Sequence, residues 1–168
     1  FWPQQSGMIA AVTGTNGKTS TVEFMRQIWA RVNWSAASIG TIGIRGIDTQ
    51  DTHAPHADIP QLTTPDSISL HATVAAIAKQ GVTHLALEAS SHGLQQCRLD
   101  GLNIHVAGFT NLSRDHLDHH CDMDDYFAAK ARLFDELLSE GGSAVINIDD
   151  AYGKKLVSRI KHRPIVVK

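Results

Sequence analysis

Residues 12–20 read Val-Thr-Gly-Thr-Asn-Gly-Lys-Thr-Ser, with the apolar run Met8-Ile9-Ala10-Ala11-Val12 before them and Thr21-Val22-Glu23-Phe24-Met25 after. A glycine-rich turn that leads from a buried strand directly into a helix is a phosphate cradle. Its backbone N–H groups converge on an anion, and the helix N-terminus adds partial positive charge. In that setting Lys18 reaches the terminal phosphates of a nucleotide, and the Thr19 hydroxyl is a ligand for Mg2+. The general nucleotide loop has glycine five positions before Gly17. Val12 stands there in this chain, and Gly14 and Asn16 build the cradle instead. That departure points to a subclass of nucleotide enzyme.

The rest of the chain alternates between strand and helix patterns. Strands are expected at Met8–Thr13, His84–Ala89, His105–Leu112, Ala144–Ile148 and Ile165–Val167, with a strand and hairpin over Ser38–Ile47. Helical spacing predicts a helix over Lys18–Asn33, with Phe24, Ile28 and Val32 on one stripe. A second helix is expected over Asp66–Gln80, entered at Pro65, with Ile68, Ala72, Ala75, Ala76 and Lys79 in register. A third runs over Asp122–Ser139 and is stopped by Gly141-Gly142, and a fourth covers Ala151–Ile160. Asp48–Leu62, with two prolines and two histidines, reads as a loop. This alternation predicts an α/β fold: a mainly parallel sheet with helices on both faces. Ligands of such sheets bind beyond the carboxyl ends of the strands. The polar residues from Thr13, from Glu88 and from Asn111 onward should therefore share one crevice.

Composition narrows the function classes. The chain has 168 residues, enough for one domain with a sizeable core. Fifteen basic against seventeen acidic residues leave a net charge of −2 and no basic block, so a nucleic-acid footprint is not expected. No apolar run approaches membrane-spanning length. Two cysteines, Cys97 and Cys121, make no disulfide framework and fit a reducing compartment. The N-terminus has neither an initiator Met nor a signal-peptide pattern, and Pro164–Lys168 reads as a strand with nothing after it. The chain is expected to be a piece of a longer protein.

Five groups of residues carry the candidate chemistry. Glu88 ends an apolar strand run, where an acid commonly holds the metal that bridges phosphate oxygens. His116 lies in Thr110-Asn111-Leu112-Ser113-Arg114-Asp115-His116-Leu117-Asp118-His119-His120-Cys121. One thiol is too few for a structural zinc centre, and a harder cation with oxygen ligands and one imidazole suits the segment as well. His119 and His120 read as a polar loop or a helix cap. Lys130 shares its helix face with Tyr126, Phe127, Leu133 and Phe134. A lysine there either snorkels outward, the commoner outcome on spacing alone, or is buried. A buried, neutral amine can add CO2 to give an anionic carbamate. Ser90-Ser91-His92-Gly93-Leu94-Gln95-Gln96-Cys97-Arg98 offers hydroxyls, amides and a guanidinium for an acidic, polar substrate. Its Ser-His adjacency does not make a hydrolase, because no Gly-x-Ser-x-Gly elbow is present. Thr63-Thr64-Pro65-Asp66 is either a helix cap or a ligand contact.

Gly14-Thr15-Asn16-Gly17-Lys18-Thr19, Glu88-Ala89-Ser90-Ser91-His92-Gly93-Leu94, Thr110–Asp118 and Ala128-Ala129-Lys130 occur in this order. Together they resemble the Mur ligases, and within them the MurE type. The resemblance runs from about Ile9 to Asp150. It implies a P-loop-containing Mur ligase central domain over residues 1–168, incomplete at its C-terminus. The family's N-terminal uridine-binding and C-terminal amino-acid-binding domains would lie outside it. It implies that Gly14, Thr15, Asn16, Gly17, Lys18, Thr19 and Ser20 bind ATP, with Asn111 near the nucleotide. Thr19 and Glu88 would serve one Mg2+, and His116 with a carbamylated Lys130 a second. Lys18, Glu88, His116 and Lys130 would thus be the catalytic set. Thr63, Thr64, Ser90, Gln96 and Arg98 match positions that bind a UDP-N-acetylmuramoyl-dipeptide. The implied reaction is ATP-dependent ligation through an acyl phosphate, in which a diamino acid, meso-diaminopimelate or L-lysine, displaces phosphate. It belongs to cytoplasmic peptidoglycan precursor synthesis and is carried out by a monomeric full-length chain. Residues 1–168 alone are expected not to complete it.

Two other readings stand beside this one. A Mur-like folylpolyglutamate or cyanophycin synthetase shares the loop, but Ser-Ser-His-Gly-Leu and Asn-Leu-Ser-Arg-Asp-His-Leu-Asp favour the MurE type. A non-catalytic nucleotide-binding module shares the loop too, although the guanine-specific Asn-Lys-x-Asp is absent.

Overall fold

A computed structural model describes residues 4–47, 62–114, 120–160 and 165–167. Residues 48–61 of the loop expected over Asp48–Leu62 lie outside the described residues, as do His116 and His119. Seven strands form one sheet: β1 (Met8–Thr13), β2 (Ala36–Gly40), β3 (Gly43–Arg45), β4 (His84–Glu88), β5 (Ile104–Phe109), β6 (Leu138–Ile146) and β7 (Ile165–Val167). Their order is β3-β2-β4-β1-β5-β6-β7, and every pairing is parallel except the β2–β3 hairpin. Among the described residues, five α-helices connect them: α1 (Lys18–Arg31), α2 (Ser67–Lys79), α3 (Ser91–Gln95), α4 (Met123–Arg132) and α5 (Ala151–Arg159). The expected α/β sheet is present.

The strand order explains which helix goes where. From β1 the chain passes through α1 toward β2, on one side of the sheet's centre. The later crossovers to β4, β5, β6 and β7 all run the other way. Right-handed connections in opposite directions fall on opposite faces. The side-chain alternation of the strands bears this out. Ile9, Ala11, Leu85 and Leu87 join one large core with Leu70, Val74 and Ile77 of α2, Tyr126 and Phe127 of α4, and Leu156 of α5. Val12 and Ala86, one step out of phase, meet Val22, Met25 and Trp29 of α1. Helices therefore cover both faces, and among the described residues α1 is alone on one of them.

Four expectations need correction. On α1 the expected stripe points to solvent: Phe24 and Ile28 are 62% exposed and Val32 is 52% exposed. The buried side is Val22, backed by Met25 and Trp29. Spacing identified an apolar stripe, but the sheet lies against its neighbour. On α2 Ile68 is likewise exposed, and Ser69, Leu70, Thr73, Val74, Ala75 and Ile77 face inward. Asp66 caps this helix by accepting from Ser69 N, so Pro65 precedes the cap. The third concerns Asp122–Ser139. Its α-helix ends at Arg132, a π-helical turn spans Leu133–Leu137, and the chain enters β6 at Leu138. Gly141 and Gly142 sit inside β6, where the pairing with β5 shifts from Ile104–Leu138 to Val106–Ser143. Gly141 has φ of 75°, so the pair makes a bulge rather than a helix stop. The strand expected over His105–Leu112 ends at Phe109.

Candidate active site

Adjacency of β4, β1 and β5 places their carboxyl ends side by side. Val12 pairs with Glu88 and Thr13 with Phe109. The ladder continues past the strands, with Ala89 N donating to Val12 O and Thr110 N to Thr13 O. The three polar strand ends thus share one crevice, as the topology rule requires.

The glycine loop is braced from β5. Thr15 N donates to Asn111 O at 2.9 Å and Asn16 N to Asn111 Oδ1 at 3.0 Å. Asn111 Nδ2 donates back to Asn16 O at 3.1 Å, and Thr110 Oγ1 to the same oxygen at 2.6 Å. Asn111 therefore buttresses the loop through both ends of its amide. Gly14 and Gly17 have φ of 147° and 84°. A Cβ on Gly14 would lie 1.9 Å from Thr110 Oγ1, so the close approach of loop and β5 also requires glycine here. Lys18 curls over the loop and donates to Gly14 O and Thr15 O, each at 2.9 Å. Thr19 is half-buried and Ser20 exposed in the first turn of α1.

Glu88 is 2% exposed. Its oxygens accept from Thr41 N at 2.9 Å and Thr41 Oγ1 at 3.2 Å. Gly40 makes room for it, since a Cβ there would meet Oε1 at 2.2 Å. Thr41 Oγ1 also lies 3.1 Å from Thr63 Oγ1. Thr64 donates to Glu88 O and accepts from Ser90 N, and its own carbonyl accepts from Arg98 Nη1 at 2.7 Å. Gln96 Oε1 accepts from Arg98 Nε at 3.0 Å and Nη2 at 2.6 Å, which holds the guanidinium in place. Thr63, Thr64, Ser90, Gln96 and Arg98 are therefore one connected cluster beside the strand-end acid.

Lys130 reaches the same place from α4. It does not snorkel: it is 1% exposed, its Nζ donates to Gly14 O at 2.9 Å and it lies 4.4 Å from the Tyr126 ring centroid. Tyr126 Oη in turn lies 3.3 Å from Thr15 Oγ1. A cleft of about 220 Å³ is lined by Lys18, Thr63, Thr64, Ser90, Arg98, Tyr126 and Lys130, among others. It carries cations at both the phosphate-loop and the Arg98 ends, which suits a substrate with more than one anionic group. The cradle around Gly14 fits a nucleotide phosphate. The buried carboxylate of Glu88 is an oxygen donor of the kind a hard divalent cation takes.

Four residues escaped the sequence reading. Thr41 follows β2, and the strand-end rule extended to β2 would have found it. Tyr126 was noted only as a neighbour of Lys130. Ser91 counted only as one hydroxyl of its segment, with no link to His120. His120 is not a polar loop residue: it is 4% exposed and bonds Ser91 Oγ through Nε2 at 3.0 Å.

Residues 12–168 match the Mur ligase middle domain. The chain belongs to the Mur ligase family. Within that family it is 48% identical over 168 residues to the UDP-N-acetylmuramoyl-L-alanyl-D-glutamate--2,6-diaminopimelate ligase of Agrobacterium fabrum, covering 100% of this chain and 33% of the relative. It is 50% identical over 167 residues to the ligase of the same name from Bradyrhizobium diazoefficiens, covering 99% and 33%. A solved structure of a ligase with that name superposes with a TM-score of 0.81 at 36% identity, over 98% of this chain and 32% of the other. The Mycobacterium tuberculosis folylpolyglutamate synthase complexed with ADP reaches a TM-score of 0.72 over 98% of this chain and 43% of the other. At 19% identity it shares the fold alone. The chain spans about a third of the length of the curated Mur ligases it matches.

Proposed function

We propose that this chain is the ATP-binding segment of a cytoplasmic ligase that joins a diamino acid to UDP-N-acetylmuramoyl-L-alanyl-D-glutamate. 2,6-Diaminopimelate is the preferred amine, as the names of the relatives suggest. The observation that carries the reading is the burial of Lys130 against Gly14 O, which joins α4 to the phosphate loop across the cleft. An ATPase or switch loop has no need of a second lysine there. A reaction that brings a carboxylate up to a triphosphate does, because two anions must approach each other.

In this reading Gly14–Ser20 and Asn111 hold ATP, with Lys18 against its terminal phosphates. Thr63, Thr64, Ser90, Gln96 and Arg98 hold the nucleotide-linked dipeptide so that its terminal carboxylate faces the γ-phosphorus. The carboxylate attacks, giving an acyl phosphate and ADP, and the amine then displaces phosphate to form the amide. Thr19 and Glu88 would hold one Mg2+, and Lys130, as its carbamate, a second together with His116. The ions supply positive charge where the phosphoryl group transfers.

The test uses the full-length protein containing this segment. Phosphate release should require ATP, UDP-N-acetylmuramoyl-L-alanyl-D-glutamate and meso-diaminopimelate together. Equal turnover with no amine, or with a folate in place of the nucleotide peptide, would refute the assignment.

A further inference from the structure

Ser91 opens α3 and lines the cleft along with Lys130 and Arg98. Its Oγ lies 3.0 Å from His120 Nε2. The His120 side chain is fully buried, with its ring tilted 4.9 Å from that of Tyr126. Its other nitrogen, Nδ1, lies 3.3 Å from Asp125 Oδ2. Asp125 is fixed in the first turn of α4. Its N–H donates to the capping Asp122 at 2.8 Å, and its Oδ2 also accepts from Cys121 N at 3.2 Å. A serine, a histidine and an acid far apart in sequence are thus strung together beside the cleft.

The direction of these bonds follows from the donor inventory. An ionised carboxylate only accepts, so Nδ1 carries the hydrogen. In the neutral imidazole Nε2 then offers a lone pair, and the Ser91 hydroxyl must donate to it. The hydroxyl proton is held away from the cleft, and the Ser91 oxygen faces the cleft as an acceptor. That polarity is scarce there. Lys18 and Arg98 only donate. Thr64 Oγ1 is engaged by Glu88 O and Ser90 N, and Ser90 Oγ accepts from Gly93 N. The carboxylates and phosphates of an anionic substrate match the cations, but the N–H groups of its peptide arm need an acceptor.

We propose that Ser91 Oγ accepts a hydrogen bond from a substrate N–H, with His120 and Asp125 as positioning residues that fix its polarity. The inference rests on the ligase reading for the identity of the substrate. The N–H belongs either to an amide of the nucleotide-linked dipeptide or to the incoming amine, and the two sources separate experimentally. In the full-length protein, Ser91→Ala should raise the Kd for UDP-N-acetylmuramoyl-L-alanyl-D-glutamate, measured by calorimetry, if the amide is the donor. It should raise KM for the diamino acid if the amine is. Either change is expected at about three- to tenfold. His120→Phe, which keeps a ring against Tyr126 but offers no nitrogen to Ser91, should shift the same constant. The double variant should be no worse than the larger single one, because the two act through one bond. The Kd for ATP of Ser91→Ala should stay at its wild-type value. Wild-type values of both constants in Ser91→Ala would overturn the proposal, and this variant decides even if His120→Phe fails to fold. A wild-type protein that binds the nucleotide peptide without ligating it refutes the ligase reading, while the Kd comparison still judges Ser91. One that does not bind the nucleotide peptide overturns both.

Discussion

Helices α1 and α4 carry similar apolar spacing and use it in opposite ways. On α1 the regular stripe Phe24-Ile28-Val32 faces outward, and the charged Glu23 is only partly exposed beside Arg26 and Ser38. On α4 the stripe Tyr126-Phe127-Lys130 faces inward and takes a lysine with it. Burial is decided by which side the sheet occupies, and hydrophobicity alone does not predict it. The two charged groups also differ in what compensates them. Glu23 is met by a guanidinium, whereas the Lys130 amine is held by a backbone carbonyl and an aromatic face. Removing a cation from water to such partners is costly, so its presence marks a functional demand rather than a stabilising one.

The largest test of this contrast is Lys130 itself. In the full-length protein, Lys130→Ala should lower turnover by about 10³-fold, with partial recovery when small carboxylates are added in place of the carbamate. Lys130→Met should be as inactive, yet melt at or above the wild-type temperature, because an apolar side chain of similar length suits the site better. Wild-type turnover in either variant would remove the catalytic role. A large drop in melting temperature for the Met variant would make the lysine structural.

Next in size is the partner that Lys130 meets. Gly14→Ala should destabilise the chain by about 3 kcal/mol in urea unfolding, through its backbone angle and the clash with Thr110. A change under about 1 kcal/mol would show that loop and β5 are less tightly joined. On α1, Val22→Ala removes the buried contact with the sheet and should cost about 2 kcal/mol by the same measurement.

Glu23 should matter less, and only in acid. Hydrogen bonding from Arg26 holds its carboxyl at about 2, below its ordinary value of 4.5. A lowered folded-state pKa contributes stability above pH 4.5 that is lost as pH falls from there toward 2. Solvent around the pair keeps the effect below about 1 kcal/mol. Comparing melting temperatures of wild type and Glu23→Gln from pH 6 to pH 2.5 should therefore show a gap that closes with acid. A gap that widens would reverse the sign. The smallest effect is expected at the outer face, where Ile28→Ser should change unfolding by no more than about 0.5 kcal/mol.

Much of the fold was legible because its signals are local. The apolar run before Thr13, the glycines after it and the strand-helix alternation specify α/β architecture without reference to distant residues. The strand-end rule then located Glu88 and Asn111 correctly. What escaped depends on which face a helix turns inward and on where a loop returns. Helical spacing gives a period but no direction: the α1 stripe faces solvent, and of the α2 set Ile68 is exposed while Ala75 is buried. The π-helical turn after Arg132 and the bulge at Gly141 had no separate signal, because a helix former and a strand former meet there without a break.

The sequence by itself determined the phosphate loop, the α/β class and the identity of Lys18, Glu88 and Lys130 as residues of interest, since each is marked by type and spacing within a short window. Tertiary structure alone decided that Lys130 is buried on Gly14 O rather than reaching for solvent. It also joined Ser91 to His120 across 29 positions and not to its neighbour His92. Both outcomes depend on α4 packing across the mouth of the sheet, where crossover handedness and core packing, and no local preference of the residues themselves, set what touches what.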